Sequence, residues 1–549
     1  MIHAVLRDPR LRQPRWWALL FLGGCLAYAT TSLLPLGPWP FFLVAAAWLL
    51  AAYLFRWGAP RQPRPPKSVI PWSLVPLLLW WLYVYLAASF GIVDLGAIYF
   101  HLQAGMTDHG GASRIVAAIV STLCALLIVV AFTWLVRNDH RWRLFERILA
   151  LILLASNPLL HGITQRSAAI VADDGAWLDR RYVEPVIHSA PDTPPNLLFI
   201  YIESIERTYA DRERFGDAYA DFDVIGEQGK VFEGVRQIDN TGWTMAGMIA
   251  SQCGSPLMPA GLLHDRQFEP LDDVVPGVTC LGDLLSEQGY RQSYLGGASK
   301  VFAGKGLFYY GHGFDSVYGR EELVPRMEDP EYLNSWGLYD DTLFDFVHEE
   351  IRELAAGDAP WNLTTLTIGG HAPHGHPAQR CLDRQGEFDG VDILYSVECN
   401  AWLTRELLND LSDEGLLDNT LVVIASDHLT MRVSVWDELI AGPRDNTFML
   451  LGNDLEPQRI ERESSMVDLF PTILEAMGFE IHQHRAGLGA SLLSPVQTLL
   501  ERHQIELINT KLREERELQL RLWDGLAPTA RQQQDAGLSE EEEQLPPVM

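Results

Sequence analysis

Five apolar stretches fill the first third of this 549-residue chain, at residues 16–34, 41–55, 70–90, 115–136 and 144–160. The first, third and fourth are long enough to cross about 30 Å of hydrocarbon as helices. The second and fifth are shorter, and a buried core helix is the alternative for each. The loops between them are sorted by charge. Arg7, Arg10, Arg12 and Arg15 precede the first stretch. Arg56, Arg61, Arg64 and Lys67 separate the second from the third, and Arg137, Arg141, Arg143 and Arg147 flank the turn between the fourth and fifth. The loop at 35–40 is uncharged, and the loop at 91–113 carries Asp94 and Asp108 but no Lys or Arg. Basic loops stay on the cytoplasmic side, so this alternation predicts a cytoplasmic N-terminus and, after five spans, an external location for everything beyond about residue 162. The first stretch lacks a small-residue cleavage site and is followed by further spans, so it reads as a retained helix rather than a signal peptide.

The charge divides at the same place. Residues 1–165 hold 13 Lys and Arg against 5 Asp and Glu, a net +8, whereas the remainder holds 29 against 66, a net −37. This split accounts for a formal net charge of −29 beside a mean hydropathy of +0.01. It excludes a disordered or collagen-like chain, and a nucleic-acid binder that is basic overall. Four regions are expected: a transmembrane domain over 1–163, a linker over 164–195, an external α/β domain over 196–495, and a charged, partly disordered tail over 496–549.

The external part opens on a continuous apolar run at 196–202, the pattern of a strand buried on both faces of a parallel sheet. Similar runs lie at 363–368, 420–425 and 447–451, with helical patterns at 281–287, 341–356, 400–411 and 467–477 between and after them. Strands alternating with helices predict an α/β fold with a largely parallel central sheet, whose ligands bind beyond the carboxyl ends of the strands. The stretch 495–523 reads as a charged helical pattern without a broad apolar face.

The strand ends carry the chemistry. Glu203 follows the first run, and Asp427 and His428 follow the run at 420–425. These three donors suit one divalent ion such as Mn²⁺ or Zn²⁺. Taken singly, such residues more often cap helices or face solvent. Residues 240–250 read as a turn entering a helix rich in small residues, where Thr241 or Thr244 is either a simple cap or a hydroxyl activated by a metal. A helix start also offers its N–H groups to a phosphate. His371, His374 and His376 share a short loop after the run at 363–368, and one of them is expected to orient or protonate a phosphate. Lys300 and Lys305 are candidate partners for an anion, with ordinary surface lysines as the alternative. Of six cysteines, Cys253, Cys280, Cys381 and Cys399 lie in the external part. They allow three pairings, of which the sequence-local one, Cys253–Cys280 with Cys381–Cys399, is favoured over free buried thiols.

Glu203, Thr244 and the Asp427–His428 pair stand in the order found in the alkaline-phosphatase/sulfatase superfamily, and residues 467–474 are similar to its late helix motif. The Cys-x-Pro-x-Arg signature of sulfate-ester hydrolysis is absent. Within the superfamily the chain resembles the lipoteichoic-acid synthases and, more closely, the phosphoglycerol transferase family of osmoregulated periplasmic glucans. The stretches that carry this are 201–209, 244–254, 302–305, 312–315, 336–341 and 426–428. The resemblance implies that Glu203, Asp427 and His428 bind one divalent ion, Mn²⁺ first with Mg²⁺ or Zn²⁺ as alternatives. It implies that Thr244 is both ligand and nucleophile, that His371 contacts phosphate, and that phosphatidylglycerol is the donor and a periplasmic glucan the acceptor at a bacterial inner membrane. Where lipoteichoic-acid synthases place Trp-x-Arg in the substrate pocket, this chain has Phe302-Ala303-Gly304, without the Arg. A phosphoethanolamine transferase, a phosphoglycerol transferase with another acceptor, and an envelope protein with a degenerate site are the alternatives.

Overall fold

A computed structural model describes residues 175–259, 271–384, 392–452 and 455–524, with isolated helical positions between 75 and 157. The chain divides into two compact units, one of Met1–Val93 with Gly111–Ser167 and one of Asp94–Gly110 with Ala168–Met549. No helix among the described residues is long and apolar enough to cross a membrane. The five expected spans lie outside those residues apart from the isolated positions, as does the stretch beyond 524.

The second unit is built on a sheet. In chain order its strands of three or more residues are β1 (Ile187–Ser189), β2 (Asn196–Ile202), β3 (Lys230–Arg236), β4 (Arg291–Gly296), β5 (Ser316–Tyr318), β6 (Trp361–Leu366), β7 (Thr420–Ser426), β8 (Phe448–Gly452) and β9 (Gln458–Ser465). Eight of them form one sheet in the order β5-β4-β6-β2-β7-β8-β3-β9. β2 pairs in parallel with β6 and β7, while β8 runs antiparallel to both of its neighbours, β7 and β3. The run at 447–451 is therefore a strand of the sheet but reverses the direction of its neighbours. β1 pairs instead with the two-residue strand at Glu480–Ile481.

The apolar runs form strands because both faces of the sheet are covered. Along β2, Leu197, Phe199 and Tyr201 enter one core cluster and Leu198, Ile200 and Ile202 enter the other. β7 divides in the same way, with Leu421, Val423 and Ala425 on one side and Val422 and Ile424 on the other. Each buried Leu, Ile, Val or Phe among them contributes about 1.5–3 kcal/mol. Helix α1 (Thr244–Cys253) covers the first face, and α2 (Leu281–Glu287) packs beside it. Helices α3 (Asp340–Ala355) and α4 (Asp392–Asp413) supply the second face. The late helix α5 (Leu469–Ala476) packs against α1.

Two sequence expectations change. The stretch 495–523 forms three short helices, at Leu499–Arg502, Ile505–Glu514 and Glu517–Leu522. Ile508, Leu512, Leu518, Leu522 and Trp523 are buried in the first core cluster, and the Trp523 Nε1–H donates to the Met258 carbonyl at 2.7 Å. An apolar face exists, but it is divided among three helices, so no single stripe is visible. The described part of the expected linker also packs. Leu178 is fully buried and its N–H donates to Glu515 at 2.7 Å, and Val183 bridges Gly487.

Candidate active site

The carboxyl ends of β2 and β7 lie side by side because those strands pair directly. Glu203 leaves β2 and is 4 % exposed, while Asp427 and His428 leave β7 at 0 % and 1 %. Ser204 then turns the chain sharply with a φ of 58°. Its N–H donates to Asp427 Oδ1 at 2.8 Å and its hydroxyl donates to Glu203 Oε1 at 2.8 Å. One residue thereby ties the two carboxylates together.

The His428 ring sits between them. Its Nδ1–H faces the Leu429 carbonyl at 2.8 Å, which leaves Nε2 turned towards Asp427 Oδ2 at 3.4 Å and Glu203 Oε1 at 3.5 Å. A carbonyl on one ring nitrogen fixes the tautomer that presents the other to a metal. Burial opposes the charged form of His428, yet the two carboxylates outweigh it and push its pKa up to about 9. Burial and then the Glu203 charge push Asp427 up. Glu203 goes down, because the His428 contact overcomes its burial. One positive charge is thus demanded by two buried carboxylates.

A divalent cation fits this demand. The ligand atoms of Glu203, Asp427 and His428 all lie within 4.8 Å of one another. Asp427 Oδ2 and His428 Nε2 are buried without a hydrogen-bond partner among the described residues. Orphaned polar atoms at a buried site cost stability unless another ligand completes them. A second cluster, Cys280, Asp283 and His312, is already satisfied. The Cys280 sulfur is bonded to Cys253, and His312 joins Asp283 at 2.7 Å and the Val274 carbonyl at 3.0 Å.

Thr244 opens α1 and lines the same pocket as Glu203, Tyr294, Phe302, Lys305, Trp336 and His371. The helix is rich in small and apolar residues and is buried on nearly every side. Its approach depends on Gly247, where a Cβ would stand 1.6 Å from the Asp427 carbonyl oxygen. Thr241 does not join the pocket, since its hydroxyl donates to the Ile238 carbonyl at 2.8 Å. At the far end of α1, Cys253 is bonded to Cys280, and Cys381 is bonded to Cys399. These are the sequence-local pairs.

The opposite wall is aromatic. His371 packs on Trp336 with ring centroids 4.2 Å apart, and Trp336 meets Phe302 edge-on at 5.7 Å. The His371 Nδ1–H faces its neighbour's carbonyl, Ala372 O, at 2.8 Å. Asp340, at the start of α3, holds the loop that carries His371. Its carboxylate accepts from Ile368 N at 2.7 Å, Gly369 N at 2.8 Å and Asn400 Nδ2 at 2.8 Å. Burial pushes the Asp340 pKa up to about 6. His374 is exposed, and His376 uses its N–H on the Gly369 carbonyl at 2.7 Å, so neither lines the pocket.

The two lysines separate. Lys305 is 2 % exposed, and its ammonium donates to the Phe302 carbonyl at 3.1 Å and lies over the Phe302 ring. Lys300 turns away, because Glu322 takes its ammonium at 2.8 Å and the Val317 carbonyl accepts from it at 3.3 Å.

Sequence reasoning missed the frame behind the Glu203–Asp427–His428 cluster. Glu206 is fully buried and accepts from Thr430 N at 2.8 Å and from Arg444 Nε at 2.9 Å, with a second Arg444 contact completing a fork. Thr430 in turn donates its hydroxyl to the Ser204 carbonyl. The only sequence signal was that Glu206 follows Glu203 by three residues. Arg444 lies 238 residues further on. Glu206→Ala leaves Arg444 a largely buried, uncompensated charge and is expected to destabilise by about 3–5 kcal/mol. Denaturant unfolding checks this, and an unchanged midpoint would contradict it.

A family model described as Sulfatase matches residues 195–479. Phosphoglycerol transferase I of Escherichia coli O127:H6 is 32% identical over 413 residues, which is 74% of this chain and 53% of that protein. The chain therefore spans about half the length of the curated relatives it matches. Among solved structures, a protein of the alkaline phosphatase superfamily from Vibrio parahaemolyticus is 19% identical with a TM-score of 0.47, covering 61% of this chain and 78% of that one. The lipoteichoic acid synthase LtaP from Listeria monocytogenes is 18% identical with a TM-score of 0.44, covering 56% of this chain and 79% of that one.

Proposed function

We propose that this chain, which belongs to the sulfatase family, is a transferase that moves phosphoglycerol from phosphatidylglycerol to a periplasmic glucan. One observation carries the reading: Thr244, the first residue of a helix, shares a pocket with Glu203 of the buried three-residue cluster and with His371. The identity to phosphoglycerol transferase I supports the choice of transferred group.

Glu203, Asp427, His428 and Thr244 would hold one divalent ion, with Mn²⁺ the first choice. Such an ion, when bound, supplies Lewis acidity to a phosphoryl oxygen and lowers the pKa of a coordinated hydroxyl. The chain's own groups do the rest. The Thr244 Oγ gives up its proton and attacks phosphorus, the bond from phosphorus to the diacylglycerol oxygen breaks, and that oxygen takes up a proton. His371, its Nδ1–H committed to Ala372, turns Nε2 to the transferring group as donor or acceptor. Lys305 offers the only buried ammonium among the described pocket residues. A glucan hydroxyl then attacks the phosphoglycerol-threonine ester and loses its proton, while the bond from phosphorus to Thr244 Oγ breaks and that oxygen regains a proton. Positioning and charge stabilisation supply most of the rate, as in other phosphoryl transfers.

The same reading places residues 1–163 in a bacterial inner membrane and the sulfatase-like domain in the periplasm, facing a lipid donor and a sugar acceptor. The test uses the full chain with phosphatidylglycerol labelled in its head group, with and without glucan. Diacylglycerol release with label appearing in the glucan is the expected result. Label taken from phosphatidylethanolamine instead would overturn the donor, and release without transfer to glucan would overturn the acceptor.

A further inference from the structure

One pocket-lining group has no part in the chemistry above. Tyr294 lies on β4, is fully buried, and stacks on Tyr309 with centroids 4.1 Å apart. Its hydroxyl has no hydrogen-bond partner among the described residues, although the neighbouring tyrosines Tyr201 and Tyr309 are both bonded to Gln252. The ring nevertheless lines the pocket beside Glu203 and Thr244. Room for the hydroxyl is made by Gly296, the last residue of the same strand, where a Cβ would come within 2.5 Å of Oη. A buried hydroxyl left unmade costs about 1–3 kcal/mol, and phenylalanine would fill the same space without it.

Resting on the phosphoryl-transfer reading, we infer that the Tyr294 hydroxyl is a further substrate contact, donating a hydrogen bond to a non-bridging oxygen of the phosphodiester as Thr244 attacks. Burial first, and then the nearby Glu203 and Asp427 charges, push its pKa up, so it stays protonated and acts as a neutral donor. No proton is transferred by Tyr294. Its contribution is a fixed dipole aimed at developing charge, in a site where reorganisation is small.

The experiment compares Tyr294→Phe, Thr244→Ala and the unmodified full chain for diacylglycerol release from phosphatidylglycerol, with Tm measured on each. Tyr294→Phe is expected to lower kcat by about 10²-fold, the scale of losing one preorganised donor, with KM little changed and Tm equal or higher. A purely structural tyrosine would not combine lost turnover with undiminished Tm. Turnover within twofold of the unmodified protein would overturn the inference, as would a loss of turnover accompanied by a lowered Tm. Thr244→Ala separates the two ideas. If it abolishes release while Tyr294→Phe does not alter it, only the tyrosine assignment fails. If Thr244→Ala turns over normally, the nucleophile assignment fails whatever Tyr294→Phe does.

Discussion

Thr244→Ala is expected to lower diacylglycerol release by at least about 10³-fold. Removing a nucleophile leaves only positioning and charge stabilisation acting on water, and comparable deletions in hydrolases cost as much or more. The fold should survive the change. Thr244 is the first residue of α1, one past the N-cap residue Trp243, and alanine is a better helix former by a fraction of a kcal/mol. Thr244→Ser keeps the hydroxyl and should turn over far faster than the alanine variant. Rapid-quench labelling would follow the phosphoglycerol ester on the protein, which Thr244→Ala should lack. Wild-type release by that variant would exclude Thr244 as nucleophile.

Metal binding should release about one proton, and its affinity should weaken as pH falls. The sign follows from the buried cluster. The carboxylates hold the His428 pKa above its ordinary value, up to about 9, so below that pH a proton occupies the site that the cation needs. The Asp427 pKa is raised as well, by burial and by Glu203, which adds to proton competition on the acidic side. Ligands must shed protons to bind, so lower pH favours the metal-free form. Titration of Mn²⁺ into chelator-treated protein, in two buffers of different ionisation enthalpy, measures the proton count directly. Asp427→Asn should cost at least about 100-fold in affinity, the upper end of what even outer-shell changes cost. Affinity independent of pH between 6 and 9, on the order of the window set by His428, would argue against these three residues as ligands.

The site was legible where it rests on strand ends. β2 and β7 are uncharged, with apolar interiors covered on both faces, so Glu203 and Asp427 stand out as the first charges after them. Thr244 was legible as the start of a helix, but its nearness to Glu203 is a tertiary fact. Tyr294 could not be read, since within β4 it looks like one more core residue. β9 was missed for the opposite reason: it is an edge strand, QRIERESS, with most of its side chains outside the core. Asp340 and Arg444 act across long sequence gaps on loops that carry His371 and the candidate metal ligands, and no local pattern announces such a partner. The closing helices were misjudged because Ile508 and Leu512 lie on one short helix and Leu518 and Leu522 on the next. Each has a matched pair of apolar residues one turn apart, too little for a broad stripe.

Gly247 gives the site a mechanical character. The helix that carries the threonine rests on the main chain of Asp427, with no side chain between them. The approach of α1 to Asp427 is therefore a contact of two backbones, not of adjustable rotamers. Such a hinge-free joint leaves no side chain to absorb a change at residue 247. It also makes the enzyme hard to retune by small steps, because the first methyl group added at 247 would pry the two elements apart.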